Sequence, residues 1–288
     1  MVAALSPSRA SDFMQCPLLY RFRVIDKLPS PPSAAAARGT LVHAVLERLF
    51  DLPASARTIE AAAAMVKPQW QALLEGEPEL ADLVDDADPV AVASWFNDAV
   101  SLIERWFTLE DPTRLEPAER ELYVETEVDG LTLRGYVDRL DVAPGGEMRV
   151  VDYKTGRAPS ELFEGKALFQ MKFYALVLWR LRGQMPQMLQ LVYLGGSTPE
   201  IVRYSPDEAD LLAVERKLKA LWQAIETAAQ TGDWRPSKSR LCDWCDHRAL
   251  CPAWGGTPPP LPEGASLLAL DPRASAAVRD AVKSHRST

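Results

Sequence analysis

Two acidic residues and a lysine near the middle of the chain have the types and spacing of a metal-dependent hydrolytic site. Asp152 and Lys154 follow the apolar pair Val150-Val151, and side chains two positions apart on a β-strand project from the same face. Residues 135–141 end another strand-like run, and Asp138 within them is the natural second carboxylate. Two carboxylates can hold Mg²⁺ or Mn²⁺ and leave coordination positions for water and a phosphate oxygen. These residues therefore indicate hydrolysis of a phosphodiester.

Each residue of this set also has an ordinary interpretation. Short acid-x-lysine strings arise by chance, and the alternative here is a carboxylate at a strand end beside a solvated lysine. A single histidine on a helix, such as His43, is commonly a half-buried side chain without a metal. Glu47 shares its face and is better explained as the ion-pair partner of a nearby arginine. The chemistry therefore depends on whether the chain brings these side chains together.

An antiparallel meander is the element that must position the two carboxylates. Alternating apolar residues after Glu121 run up to Asp129-Gly130, which is a strong two-residue hairpin motif. A turn at 144–146 follows the second strand. Asp138 and Asp152 then lie on neighbouring strands. The predicted strands cover 121–128, 131–142 and 148–153.

Helical periodicity surrounds this meander on both sides. Ser6 caps a first helix that Pro17 closes, and residues 29–38 form a loop. Ser205 caps a later helix that starts with proline at 206. The region after 257 is predicted to be a linker with a short helix. The predicted helices cover 6–17, 39–50, most of 55–110, 168–182 and 206–229, and two further strands cover 187–194 and 200–204.

The composition is that of a globular protein of one large or two modest domains. The chain has 288 residues, of which 47% are hydrophobic and 25% charged. Its net charge of −8 disfavours a nucleic-acid partner at face value, but residues 51–130 alone carry 19 acidic and 5 basic side chains. The remainder is therefore basic. No apolar run is long enough to span a membrane and the start lacks the pattern of a secretory signal, which predicts a cytoplasmic location.

Four cysteines are the second group able to bind an inorganic centre. Cys242, Cys245 and Cys251 lie within ten residues, and Cys16 is the remaining one. Thiols in a reducing compartment bind metal or stay free more often than they form disulfides. Four thiolates suit either zinc or an iron–sulfur cluster. Such a centre would join the N-terminal helix to the C-terminal segment.

The ordered motifs resemble the RecB-like branch of the PD-(D/E)XK nuclease superfamily in its iron–sulfur form. The resemblance spans residues 6–252. It is carried by G-T-x-x-H at 39–43, G-x-x-D-R-x-D at 135–141, V-D-Y-K-T-G at 151–156, Q-M-K-F-Y at 170–174, and one cysteine preceding a C-x2-C-x5-C-P group.

The resemblance implies a role for each matching residue. The catalytic Mg²⁺ or Mn²⁺ would be held by two acids, an imidazole and a backbone carbonyl, and Lys154 would place or activate water. Gln170 and Tyr174 match a helix that contacts DNA or supports the lysine. The implied metal ligands are His43, Asp138, Asp152 and the carbonyl of Tyr153, and the implied ligands of a [4Fe–4S] cluster are Cys16, Cys242, Cys245 and Cys251.

The resemblance also implies a fold and an activity. We expect an α/β, restriction-endonuclease-like core, in which helices flank a mixed sheet with an antiparallel meander, together with a helical insertion and a four-cysteine iron–sulfur clip. The expected activity is that of a DNA exonuclease on single-stranded ends in recombination or repair. The predicted units are 1–54 with the N-terminal helices, the histidine motif and the first cysteine, the helical insertion 55–118, the nuclease core 119–235, the cysteine segment 236–256 and the linker and tail 257–288.

Two departures from the simplest pattern leave alternatives open. The insertion is strongly acidic, and the chain lacks the P-loop of a helicase motor, so unwinding would require a helicase partner. One alternative is a non-catalytic module of the same fold that binds nucleic acid or a helicase. Another is an enzyme whose cysteines hold zinc instead of a cluster.

Overall fold

The structure, a computed structural model, describes residues 4–84, 88–158 and 164–270, without the side chains at 164 and 166. The helices are α1 (Pro7–Gln15), α2 (Pro17–Tyr20), a π-helical turn (Arg21–Ile25), α3 (Ala34–Leu49), α4 (Ile59–Gly76), α5 (Pro89–Leu109), α6 (Glu164–Arg182), α7 (Glu208–Thr231) and α8 (Ala265–Leu270). The strands are β1 (Ala4–Leu5), β2 (Glu119–Val128), β3 (Leu131–Val142), β4 (Met148–Lys154), β5 (Met188–Tyr193) and β6 (Glu200–Tyr204).

One mixed sheet forms the centre of the molecule. Its strand order is β1-β3-β4-β5-β6, and β2 pairs with β3 outside this path. The β1–β3 and β4–β5 pairs are parallel, whereas the other pairs are antiparallel. Helix α6 connects the parallel strands β4 and β5, as a parallel pair requires. The prediction of an α/β fold with a mixed sheet and flanking helices is confirmed.

The predicted meander is present. Asp129 and Gly130 both have positive φ, 50° and 80°, as a two-residue turn of the kind that matches strand twist requires. Val128 pairs with Leu131 across this turn, and β3 continues into an antiparallel pairing with β4. The two carboxylates at 138 and 152 consequently lie on adjacent strands.

Helices cover both faces of the sheet, and each face has its own apolar core. Strand β4 divides its side chains between them: Val150 belongs to the core under α6 and α7, whereas Val151 and Tyr153 belong to the core under α3, α4 and α5. Asp152 and Lys154 share the face of Val150 because side chains alternate along a strand. The apolar face of the predicted insertion therefore packs against the sheet.

Several helix boundaries differ from those predicted. Helix α3 begins at Ala34 within the predicted loop, because the Ser33 hydroxyl accepts a hydrogen bond from the Ala36 amide. Pro17 starts a second short helix as well as following the first. Helix α7 is capped by Asp207 and not by Ser205.

Two features near the chain ends were not predicted. The two-residue strand β1 pairs with β3, and the segment after 257 packs against the N-terminal helices. The Tyr20 hydroxyl and the Arg9 guanidinium both donate to the carbonyl of Ala269, at 2.6 and 2.7 Å. Residues 271–288 of the predicted tail, and 85–87 of the predicted acidic loop, lie outside the described residues. Across the described ranges, every helix is too short or too polar to cross a bilayer.

Candidate active site

A histidine and two carboxylates converge where α3, β2 and β3 meet. His43 Nδ1 lies 3.4 Å from Asp138 Oδ2. Ligand atoms of His43, Glu121 and Asp138 all lie within 4.8 Å of one another, which no other set of three such residues achieves in the part of the chain that is described. In an octahedral Mg²⁺ site, neighbouring and opposite ligand atoms are about 3 and 4 Å apart. The three side chains therefore lie close enough together to be candidate ligands of one cation.

Glu121 is the member of this group that the motifs did not reveal. It lies between the regular cross-strand pairs Arg120–Arg139 and Leu122–Val137, which places it opposite Asp138. Its φ of 44° is unusual for a residue with a side chain. Counting residues outward from the hairpin turn places Glu121 opposite Asp138 from the sequence alone. No sequence pattern predicts the positive φ of Glu121.

A chain of polar contacts links Asp152 to the helix that covers it. Lys154 Nζ lies 2.7 Å from Asp152 Oδ2 and donates to Gln170 Oε1 at 3.2 Å. The Gln170 amide in turn donates to Asp152 Oδ1 at 3.0 Å and lies 3.5 Å from the Tyr174 hydroxyl. Gln170 thus holds the carboxylate and the amine in one orientation. The structure brings these four predicted residues together.

Two carboxyl groups of the site have a raised pKa, that of Asp152 and that of Glu121. Burial, followed by the negative charge of Asp138, raises the pKa of Asp152. Burial and the charge of Asp138 also raise the pKa of Glu121, to about 7. Asp152 Oδ2 is buried and, among the described residues, receives no hydrogen bond of suitable geometry, although Lys154 lies close. A bound divalent cation would relieve this repulsion and use the free lone pairs, so the residues fit such an ion.

A buried arginine supports the site from the opposite face of the sheet. Arg139 is 1% exposed, and it binds both carboxylate oxygens of Glu110 and the Tyr153 hydroxyl, at 2.7–2.8 Å. The Tyr153 ring packs edge-on against His43, and the Tyr153 amide donates to Asp138 Oδ2 at 2.8 Å. Tyr153 therefore contacts both the imidazole and a carboxylate. Metal ligation by its carbonyl stays a prediction.

An open groove of about 670 Å³ leads to the lysine side of the site. Lys154, Gln170 and Tyr174 line one part of it, and Tyr136 and the start of α1 line another. The groove walls therefore come from the N-terminal helix, the hairpin and α6. A substrate placed in it would reach the amine at 154 directly.

The four cysteines line a second, smaller pocket at the other end of α1. None of them forms a disulfide. The amides of Ser237 and Ser239 point to Cys16 Sγ and Cys242 Sγ at 3.3 and 3.4 Å. No three of the described sulfur atoms lie within 4.8 Å of one another. The four cysteines thus line one pocket, but their sulfur atoms are farther apart than in a compact tetrahedral metal site.

The chain is similar to known proteins in sequence and in fold. The chain is 27% identical over 271 residues to the Gene 69 protein of Mycobacterium phage D29, with 86% of this chain and 96% of that protein covered. It is 24% identical over 287 residues to the Gene 69 protein of Mycobacterium phage L5, with the same coverage. A crystal structure named "Putative exonuclease", from Eubacterium rectale, has a similar fold, with a TM-score of 0.55, 13% identity and coverage of 85% of this chain and 88% of that one.

The family is established by a sequence model that matches most of the chain. Residues 4–252 match the model of the PD-(D/E)XK nuclease superfamily. The matched range includes the converging acids, the lysine and all four cysteines. Nucleases of this kind act on nucleic acids and use divalent metals, in keeping with the acidic cluster described above. The chain therefore belongs to the PD-(D/E)XK nuclease superfamily.

Proposed function

We propose that this protein is a metal-dependent DNA nuclease of the RecB-like branch, which degrades single-stranded DNA from an end during recombination or repair. The observation that carries the proposal is the buried Asp152, which is in contact with Lys154 and held by Gln170 beside a second acidic cluster. A module that only bound nucleic acid would have no chemical need for this costly arrangement of buried charges. Duplex unwinding would then be the task of a helicase partner.

His43, Asp138 and Asp152 would hold Mg²⁺ or Mn²⁺, and Glu121 would join them as a fourth side-chain ligand. When bound, the cation supplies an acidified water and neutralises charge on the phosphate. The amine of Lys154 orients the attacking water, and Gln170 keeps that amine beside Asp152. Tyr174 closes this side of the site by packing over the hairpin at Gly135, where a Cβ would lie 2.7 Å from its ring.

Digestion of end-labelled DNA tests the proposal. The protein is incubated with 5′- and 3′-labelled single strands in Mg²⁺ or Mn²⁺, and we expect progressive shortening that EDTA abolishes. Asp152→Asn and Lys154→Ala should each reduce the rate by about 10²–10⁴-fold. Lys219→Ala, which removes an exposed lysine on α7, is the matched control. Tight binding without cleavage in either metal would favour the non-catalytic module instead.

We further propose that the cysteine pocket holds a [4Fe–4S] cluster. Each thiolate of such a cluster binds a different iron, which suits sulfur atoms that are farther apart than the roughly 4 Å spacing around a single zinc. Amide donors to two of the sulfurs are the kind of contact that stabilises thiolate ligands. Anaerobically purified protein should be brown and contain four irons, and Cys16→Ser should lose both properties. Stoichiometric zinc in a colourless protein would assign the pocket to zinc.

A further inference from the structure

Two exposed tyrosines form an aromatic pair on the outer face of the β2–β3 hairpin. Tyr123 and Tyr136 lie directly opposite each other across the two strands, with ring centroids 5.2 Å apart. They are 44% and 57% exposed, although side chains of this size usually bury most of their surface. A cross-strand pair of this kind adds to sheet stability, but that role does not require so much open ring surface.

The pair lies beside the path to the site. Tyr136 lines the same groove as Lys154 and Gln170. It is also two residues before Asp138 on β3, which places it about 7 Å along the strand from that carboxylate. The groove is therefore continuous from the open tyrosine rings to the amine.

We propose that this pair is a stacking platform for the unpaired bases of a single strand whose phosphodiester lies in the site. Away from a duplex end, a flat ring can stack on a base only when that base is unpaired, because the paired bases within a duplex expose only their edges in the grooves. Stacking on aromatic rings tolerates any sequence, since every base has a π-face. The platform thus selects single strands over duplexes without selecting a sequence.

Basic side chains lie near both ends of this path, each beside an acid. Arg134 lies on the same face of β3 as Tyr136, and it pairs across the strands with Glu125. Lys154 supplies a positive charge at the other end of the groove. Asp12, an acid in the groove wall, is neutralised by Arg23 at 2.7 Å. A strand could then run from the stacked bases to the lysine. The inference rests on the proposed nuclease function and names the strand form that the site accepts.

Equilibrium binding separates this proposal from the nuclease proposal itself. Fluorescein-labelled oligothymidine and a blunt duplex are titrated with the full chain in Ca²⁺, which permits metal occupancy without relying on cleavage. The variants are Tyr136→Ala, Tyr123→Ala, Tyr136→Phe and Val142→Ala. Val142 is exposed at the far end of the same strand and is the matched control.

The expected result is a loss confined to single strands. Tyr136→Ala should weaken oligothymidine binding by about 10-fold, in the range of one stacked base, and leave duplex binding unchanged. Tyr136→Phe should retain wild-type affinity because the ring remains, and circular dichroism and melting curves should show that the variants are folded. Equal affinity of Tyr136→Ala and wild type for the single strand would overturn the platform and leave the nuclease proposal standing. Absence of any DNA binding by the wild type would overturn both.

Discussion

Glu121 occupies the left-handed region of backbone conformation inside an otherwise regular strand. A non-glycine residue in this region costs about 1–3 kcal/mol, so the surrounding pairs of the hairpin must hold it there. Its carboxylate lies beside Asp138 and His43, opposite Asp138 in the strand register. An unusual backbone conformation and a raised side-chain pKa therefore coincide at one residue of the candidate site.

The raised pKa of Glu121 predicts how stability depends on pH in the absence of metal. Its pKa in the folded protein is about 7, above the ordinary 4.5, so the folded state binds the proton more tightly than the unfolded chain. Stability is thus greatest below the ordinary pKa and falls as the pH rises toward 7. Between pH 4.5 and 8 in EDTA, the expected loss is about 1 kcal/mol after allowing for solvent screening at this half-buried group.

Thermal melting in EDTA across this pH range measures the effect. Glu121→Gln should flatten the profile, whereas Glu119→Gln, at the exposed start of the same strand, should leave it unchanged. Adding Mn²⁺ should restore the stability of the wild type at pH 8 and do less for Glu121→Gln. An identical profile for wild type and Glu121→Gln would contradict the proximity of these acids.

At this scale the sequence predicted side-chain types well and backbone detail poorly. His43, Asp138, Asp152, Lys154 and Gln170 could be selected because their motifs encode residue type and spacing. The contacts between them agree with the expectation that they share one region of the fold, although their individual roles stay predictions. Glu121 was not selected because none of the motifs includes it, although its position opposite Asp138 follows from the hairpin register.

At the scale of elements, the helical insertion is joined to the sheet by an ion pair. Glu110 follows the last residue of α5 and binds Arg139 on β3, with further hydrogen bonds from Trp106 and Gln190. Burial would raise the pKa of Glu110, but the hydrogen bonds and charge of Arg139 outweigh it and lower the pKa. The pair therefore stabilises the protein above the ordinary glutamate pKa, and its contribution is lost as the pH falls through the lowered value.

Removing one partner of this pair should destabilise the fold strongly. Glu110→Ala removes the carboxylate that binds Arg139 through both oxygens and leaves the buried guanidinium with Asp141 as its remaining carboxylate, so we expect a loss of about 2–3 kcal/mol, below the roughly 3–5 kcal/mol typical of a fully unpaired buried charge. Urea denaturation measures this loss. The matched control is Glu116→Ala, which removes an exposed partner of the buried Arg57 while the carbonyls of Leu52, Pro112 and Leu115 still bind that guanidinium. We expect the control to lose less than about 1 kcal/mol of its free energy of unfolding. Comparable losses for Glu110→Ala and Glu116→Ala would refute the larger role of the Glu110–Arg139 pair.

Helices and strands that a short sequence motif or periodicity specifies were predicted, and those without such a local pattern were not. The hairpin followed from Asp129-Gly130, and the strand alternation followed from period two. The start of α7 was misplaced because Ser205 and Asp207 both have capping side chains, and only the 2.7 Å bond from the Asp210 amide to Asp207 selects between them. Strand β1 has two residues, too few for any periodicity, and its pairing with β3 depends on the whole fold.

At the scale of the whole molecule, residues far apart in the chain meet around α1. The Trp234 ring stacks on Tyr20, the Ser237 amide reaches Cys16, and the Ala269 carbonyl binds Arg9. The predicted joining of the N-terminal helix to the cysteine segment agrees with these contacts. The packing of the segment after 257 was not predicted, because its prolines and short apolar run resemble those of a linker.

Truncation tests the contribution of that last segment. A chain that ends after residue 256 loses the burial of Leu268 and Ala269 and the hydrogen bonds to the Ala269 carbonyl. We expect a loss of about 2–4 kcal/mol in urea denaturation. A chain that ends after residue 270 keeps these contacts and serves as the control. Equal stability of the two truncated chains would show that the segment contributes nothing.

The dependence of α1 on residues 234–270 has a consequence for synthesis. One wall of the groove is formed by the first turns of α1, yet the partners that hold this helix emerge from the ribosome more than two hundred residues later. Contacts between such distant residues form late, after shorter loops have closed. A nascent chain would therefore carry the acids and the lysine of the site without a complete groove. The proposed DNA degradation would begin only after translation of the C-terminal segment.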